Sequence, residues 1–159
     1  MTPAINEVKK HKVSHKVHEY SHDDASASYG LEAAEKLGVS ADRVCKTLVV
    51  SLYYSPQHHT LAVGIIPVSA LLSMKLIAKA AGAKKATMAD KSDVERSTGY
   101  VLGGVSPLGQ KKPLKTFVDS SVKNYSTIYV SAGRRGLEIE LSPDDLSALT
   151  NGDFATIGQ

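Results

Sequence analysis

The chain has no tryptophan, two phenylalanines and one cysteine among its 159 residues. With Cys45 alone, no intrachain disulfide can form, and a reducing compartment fits. No long apolar run is present. The longest, residues 61–74, is broken by Pro67 and followed at once by Lys75, too short and too punctuated to span a bilayer. Residues 6–12 are polar where a secretion signal would carry its apolar segment, so a cytoplasmic location is expected. Without that signal, Asn124-Tyr125-Ser126 reads as a chance match to a glycosylation acceptor. Also absent are an HExxH pattern, a cysteine cluster, a GxSxG elbow and the lysine and Ser/Thr ending of a phosphate-binding P-loop. The sequence therefore carries none of the common signatures of zinc proteases, α/β-hydrolases or P-loop NTPases.

Hydrophobic content of 42% and charged content of 22% are ordinary for a globular protein. The length suits one domain, residues 1–159, with a real core. Thr2 and Pro3 open a helix over residues 3–10. Residues 14–20 alternate as a strand. Leu31, Ala34 and Leu37 share a helix face closed by Gly38, and Ser40 caps a short turn beyond it. Residues 46–54 and 60–66 read as a hairpin, 69–81 as an amphipathic helix ended by Gly82, 85–88 as a short strand and 92–96 as a helical turn. Strands are expected at 116–119, 127–131 and 137–141. Ser142-Pro143 opens a last helix running to residue 149. Hairpins mixed with crossovers favour a single α+β domain with a mixed sheet.

Charge is unevenly spread. The net charge is +3. Basic clusters stand at Lys9/Lys10/Lys12, Lys84/Lys85, Lys111/Lys112/Lys115 and Arg134/Arg135, and no Lys or Arg follows Arg135. If these clusters share a face, RNA is a fitting partner; otherwise they are solvated surface lysines and arginines. His11, His15, His18 and His22 have helix-like spacing, but strand alternation sends His15 and His18 to opposite faces, so no metal site is expected.

Lys46 heads an apolar, β-branched strand. A lysine there either snorkels to water or faces a pocket holding an anionic or carbonyl group. Residues 98–109 form a glycine-dense loop able to bring bare backbone N–H groups close to a ligand. Residues 131–136, Ser-Ala-Gly-Arg-Arg-Gly, make a second glycine-bearing turn after a strand. Cys45 precedes Lys46 and faces the other way, toward the core. No nucleophile–base pair is visible. Tyr20 and Tyr29 are candidates for aromatic pocket walls.

Taken in chain order, several segments resemble the YbaK family, free-standing relatives of the editing domain of bacterial prolyl-tRNA synthetases. They are Tyr20, Lys46-Thr47, Gly82-Ala83-Lys84-Lys85, residues 96–100, the Gly103–Lys112 run and the Ser131–Gly136 turn. The resemblance implies a central mixed, partly barrel-like sheet surrounded by helices. It implies cleavage of the ester joining a misattached amino acid to tRNA, with cysteinyl-tRNA as substrate, notably proline tRNA mischarged with cysteine. An alanyl-tRNA deacylase of the same fold and a non-catalytic tRNA- or synthetase-binding module are the competing readings. It places catalysis at Lys46, Gly103 and Gly104, and substrate binding at Tyr20, Tyr29, Thr47, Ser106, Pro107, Ser131 and Gly133. At Tyr29 the family often carries Phe. The basic residues Lys111, Lys112 and Arg135 are expected to meet RNA. Glu138, a position where relatives carry other polar residues, stays outside the catalytic set. No cofactor or metal is implied. Prolyl-tRNA synthetase is the implied protein partner, and the substrate's own thiol is the implied nucleophile.

Overall fold

The computed structural model describes residues 1–23 and 29–159. Helix α1 (Pro3–Lys10) starts as its sequence dictates: Thr2 Oγ1 accepts from the Ile5 N–H at 3.2 Å and Pro3 occupies the first turn. The same hydroxyl donates to Ala132 O, which pins α1 behind the second glycine turn. There follow β1 (Lys16–Glu19), α2 (Tyr29–Leu37), β2 (Cys45–Ser55), β3 (His58–Pro67), α3 (Met74–Ala81), β4 (Lys85–Met88) and α4 (Lys91–Thr98). The chain ends with β5 (Lys115–Asp119), a 3₁₀ turn (Ser120–Asn124), β6 (Ile128–Ser131), β7 (Leu137–Leu141), α5 (Pro143–Thr150) and β8 (Asp153–Ala155).

The strands form two sheets. The larger has the order β4-β2-β3-β5-β8, antiparallel around β2 and parallel from β3 to β8. The smaller, β1-β7-β6, is antiparallel throughout. A parallel bridge between Val44 and Tyr129 joins them, with Tyr129 N–H donating to Arg43 O at 2.9 Å. This is the α+β class with a mixed sheet, and among the described residues the sheets stay open rather than closing into a barrel. Val49, Val63, Ile65 and Val118 of the larger sheet pack with Val130, Leu137, Ile139 and Leu141 of the smaller. The other face of the larger sheet buries Val50, Leu52, Ala62, Ile66 and Phe117 with Ile77 of α3. A sheet covered on both faces explains why β2 and β3 read as nearly unbroken apolar runs.

Some expectations need correction. Helix α3 begins at Met74, not at residue 69. Leu71 exchanges two backbone hydrogen bonds with Gln159 (3.0 and 2.8 Å), and Ser73 N–H donates to Ile157 O at 2.8 Å. The chain tail thus claims the donors a longer helix would have used, and Ser73 becomes the cap, accepting from Leu76 N–H. Asp119 anchors the tail by accepting from the Ile157 and Gly158 N–H groups at 3.0 and 2.9 Å. Leu31 is 51% exposed; α2 turns Glu32, Ala33 and Ala34 inward instead. The Glu32 carboxylate earns that burial by accepting from Asp23 N–H at 2.8 Å and meeting His22 Nδ1 at 2.7 Å.

Candidate active site

The site lies where the two sheets part. Strand β2 leaves the smaller sheet at the Val44 bridge and meets β4 only from Val50 onward. Between these points, no described strand pairs with the side of β2 away from β3. Residues Cys45, Lys46, Thr47 and Leu48 line a cleft there of about 340 Å³. That volume is at the small end of ligand sites, enough for one small group at the end of a larger molecule. The opposite walls come from Tyr20 after β1, Tyr29 on α2, Gly103 in the first glycine loop, and Ser131, Arg134, Arg135 and Glu138 around the β6–β7 turn.

Lys46 is half-buried, and its ammonium has no ion-pair partner among the described residues. Loss of solvent lowers its pKa below the usual lysine range. The Arg135 guanidinium lies 3.4 Å from the Tyr29 ring centre, a close cation–π stack, while its Nε and Nη2 are buried without an acceptor. Thr47 Oγ1 is likewise buried and unpartnered. In native structures such groups are normally satisfied, so their convergence on one cleft leaves polar atoms there without a partner among the described residues. Ser131 Oγ accepts from Gly133 N–H at 3.1 Å. Cys45 is 4% exposed, and burial pushes its thiol far above the ordinary range, so it is an inert core residue.

Gly103 takes φ +92°, and a Cβ there would lie 2.7 Å from Tyr29 Cε2. At Gly104 a Cβ would stand 3.0 Å from the Arg134 Cα, so the two glycine turns pack backbone to backbone only because this position is bare. Gly104 N–H is taken by Val101 O, whereas Gly103 N–H donates to no other described residue.

Seven of the sequence-derived site residues therefore meet at one cleft: Tyr20, Tyr29, Lys46, Thr47, Gly103, Ser131 and Arg135. Six others lie elsewhere. Gly104 stands behind Gly103, and Gly133 packs on the Tyr100 ring. Ser106 is fully buried and shapes its own loop, its Oγ accepting from Leu108 N–H and its carbonyl from Gln110 Nε2. Pro107 and Lys112 border a separate depression with Glu7 and Thr150. Lys111 and Lys112 donate their backbone N–H groups to Thr98 O and Ser97 O, which places both under the end of α4. Lys84 and Lys85 line a third hollow with Lys75 and Lys79. The histidines scatter: His18 bonds Glu140, His22 bonds Glu32 and His15 meets Val13 O. Among the described residues no group of three or more His, Cys, Asp or Glu is placed to hold a metal ion.

A model of the family described as the aminoacyl-tRNA editing domain matches residues 25–149. The chain belongs to this family. Two similar curated proteins are of nearly matching extent or somewhat shorter overlap. EbsC of Enterococcus faecalis, provisionally named a Cys-tRNA(Pro)/Cys-tRNA(Cys) deacylase, is 43% identical over 98% of this chain and 92% of its own. YwhH of Bacillus subtilis, an uncharacterised protein, is 31% identical over 73% of this chain and 71% of its own. A solved structure described provisionally as a trans-editing enzyme for prolyl tRNA synthetase shares the fold, with TM-score 0.81 at 22% identity, covering 100% of this chain and 99% of that one.

Within this editing domain, Glu138, set outside the catalytic residues on the sequence, lines the cleft. Strand β7 reads Leu-Glu-Ile-Glu-Leu, an alternation that assigns both glutamates to solvent. Glu140 does meet polar partners, His18 and Thr127. Glu138 is instead 6% exposed, and burial lifts its carboxyl to about 8. Tyr20 and Cys45 interact with it electrostatically, His18 stands across the β1–β7 pairing, and Lys46, Arg134 and Arg135 line the same cleft. A carboxyl raised in the folded state holds a proton that the unfolded chain releases. Its contribution is complete below the ordinary glutamate range and is lost as pH rises through about 8. Glu138→Gln is therefore expected to match the parent in stability near pH 4 and to exceed it by about 2–4 kcal/mol near pH 9. Denaturant unfolding at the two pH values checks this.

Proposed function

We propose that this editing domain is an aminoacyl-tRNA deacylase acting in trans on cysteinyl-tRNA, including proline tRNA mischarged with cysteine. The observation that carries the reading is Lys46. It is a partly desolvated ammonium with no acidic partner among the described residues, set in a cleft sized for one aminoacyl end that Gly103, whose N–H engages no described residue, also lines. Similarity to a relative named as a Cys-tRNA deacylase supports the substrate.

Among the described lining residues no nucleophile has a base paired with it, and Cys45 is buried and held as a thiol. The substrate's thiol takes that role. Its sulfur attacks the carbonyl carbon of its own ester, the sulfur–carbon bond forms, and the bond from that carbon to the ribose oxygen breaks. The thiol proton ends on the departing ribose hydroxyl. A four-membered thiolactone leaves and is opened by water to cysteine. Lys46 and the Gly103 N–H stabilise the charge that develops on the carbonyl oxygen. Tyr20, Tyr29, Thr47 and Ser131 orient the aminoacyl group. Gly104, Ser106, Pro107 and Gly133 hold the two loops in register around it. Arg135 meets the RNA backbone at the cleft, while Lys111 and Lys112 reach phosphates farther along the tRNA. Work in the cytoplasm, with prolyl-tRNA synthetase as the partner that supplies tRNA selectivity, completes the proposal. Its need for no metal or cofactor is part of the same reading.

The test is deacylation of cysteinyl-, alanyl- and prolyl-tRNA side by side. Rapid loss of cysteinyl-tRNA with the other two nearly untouched is expected. Preference for alanyl-tRNA would move the chain to the alanyl branch, and no cleavage of any would leave it a binding module.

A further inference from the structure

The proposed chemistry uses the positive groups of the cleft and leaves without a task the one acid among its described lining residues, Glu138. Glu138 is almost fully buried, lies across the β6–β7 pairing from Ser131, and its carboxyl makes no hydrogen bond or ion pair with any described residue. Arg135 shares the cleft and also leaves two nitrogens unpartnered, yet the two do not pair with each other. The Arg135 nitrogens are shut off from solvent while the Glu138 carboxyl keeps only slight access through the cleft, and each stands without a described partner at a cost. A ligand that carries a positive group at one end and oxygen acceptors at the other removes both. An aminoacyl ester has this polarity: its α-ammonium stands one carbon from the ester carbonyl, whose oxygens face the opposite way.

We infer that Glu138 is the seat of the substrate's α-ammonium group, and that this domain therefore requires an amino acid whose amine is free. The inference rests on the deacylase reading above. The ammonium donates to the ionised Glu138 carboxylate, and the proton Glu138 holds in the empty site is given up when the ammonium binds. Lys46 and Arg135 remain for the ester and phosphate oxygens. An acylated amine cannot make this contact: it has no charge to draw the proton off Glu138, and its acyl group needs space that the ammonium does not. The domain thereby rejects tRNA esters in which the amine has become an amide, as in peptidyl-tRNA.

The experiment compares cysteinyl-tRNA with N-acetylcysteinyl-tRNA, each treated with the unaltered protein and with Glu138→Gln. The unaltered protein is expected to prefer the free amine by about 10²-fold, the effect of leaving one half of a buried charged pair unmatched. Glu138→Gln is expected to lose most of its rate on cysteinyl-tRNA, little on the acetylated ester, and so to bring the two within about threefold. Equal cleavage of both esters by the unaltered protein overturns the inference and leaves the deacylase reading standing, and this arm depends on no variant folding. A Glu138→Gln protein that keeps the full preference overturns it as well. If the unaltered protein cleaves neither ester, the deacylase reading falls and the inference with it.

Discussion

Lys46→Ala is expected to reduce deacylation of cysteinyl-tRNA by about 10²–10³-fold, the usual loss when a single group aimed at a developing oxyanion is removed. The fold should survive. Lys46 makes no ion pair with a described residue, and its strand is held by β3 through a long antiparallel register whose apolar members, Val49, Val50 and Leu52, are untouched. A stability change of less than about 1 kcal/mol is expected. Single-turnover deacylation together with denaturant unfolding checks both halves. Near-normal turnover by the folded variant would remove Lys46 from the chemistry.

Replacing the substrate's thiol by a hydroxyl should have an effect of similar size. A cysteine thiol is a few per cent thiolate near neutral pH, while an alcohol is far less ionised and a weaker nucleophile. Seryl-tRNA fills nearly the same space, so the cleft would bind it almost as well. Its cleavage should nonetheless be slower by about 10²-fold or more. Equal rates on the two substrates would mean that an activated water, not the side chain of the substrate, attacks the ester.

Much of this was legible because local chemistry and tertiary need agree. Thr2-Pro3 and Ser142-Pro143 each supply a hydroxyl cap and a proline at the first helical turn, and both helices start there. The β2–β3 hairpin shows through because both faces of its sheet are covered and its residues are apolar on both. Lys46 stood out because a lysine is foreign to such a strand. Where the sequence misled, a distant segment had intervened. Residues 69–73 have the composition of a first helical turn, but the tail at Ile157–Gln159 takes their backbone. Strand β8 is three residues long and exists through its pairing with β5. Glu138 has the alternation of a solvent-facing residue, but Tyr20 and Cys45 stand near its carboxyl and it is buried. Lys111 and Lys112 follow the glycine loop directly in sequence, but their backbone bonds to the end of α4 carry them away from the residues that line the cleft.

The most direct measurement is product analysis during a single turnover of cysteinyl-tRNA in isotopically heavy water, with a thiol trap present and a thiolactone standard shown to survive the conditions. Among the described residues the cleft has an unpaired ammonium and an unengaged amide but no nucleophile with a base beside it, so a thiolactone or its trapped adduct should appear before free cysteine. Free cysteine carrying solvent oxygen in its carboxylate from the earliest time point, with no cyclic species, would contradict this and return the search for a base to Tyr20, Ser131 and Glu138.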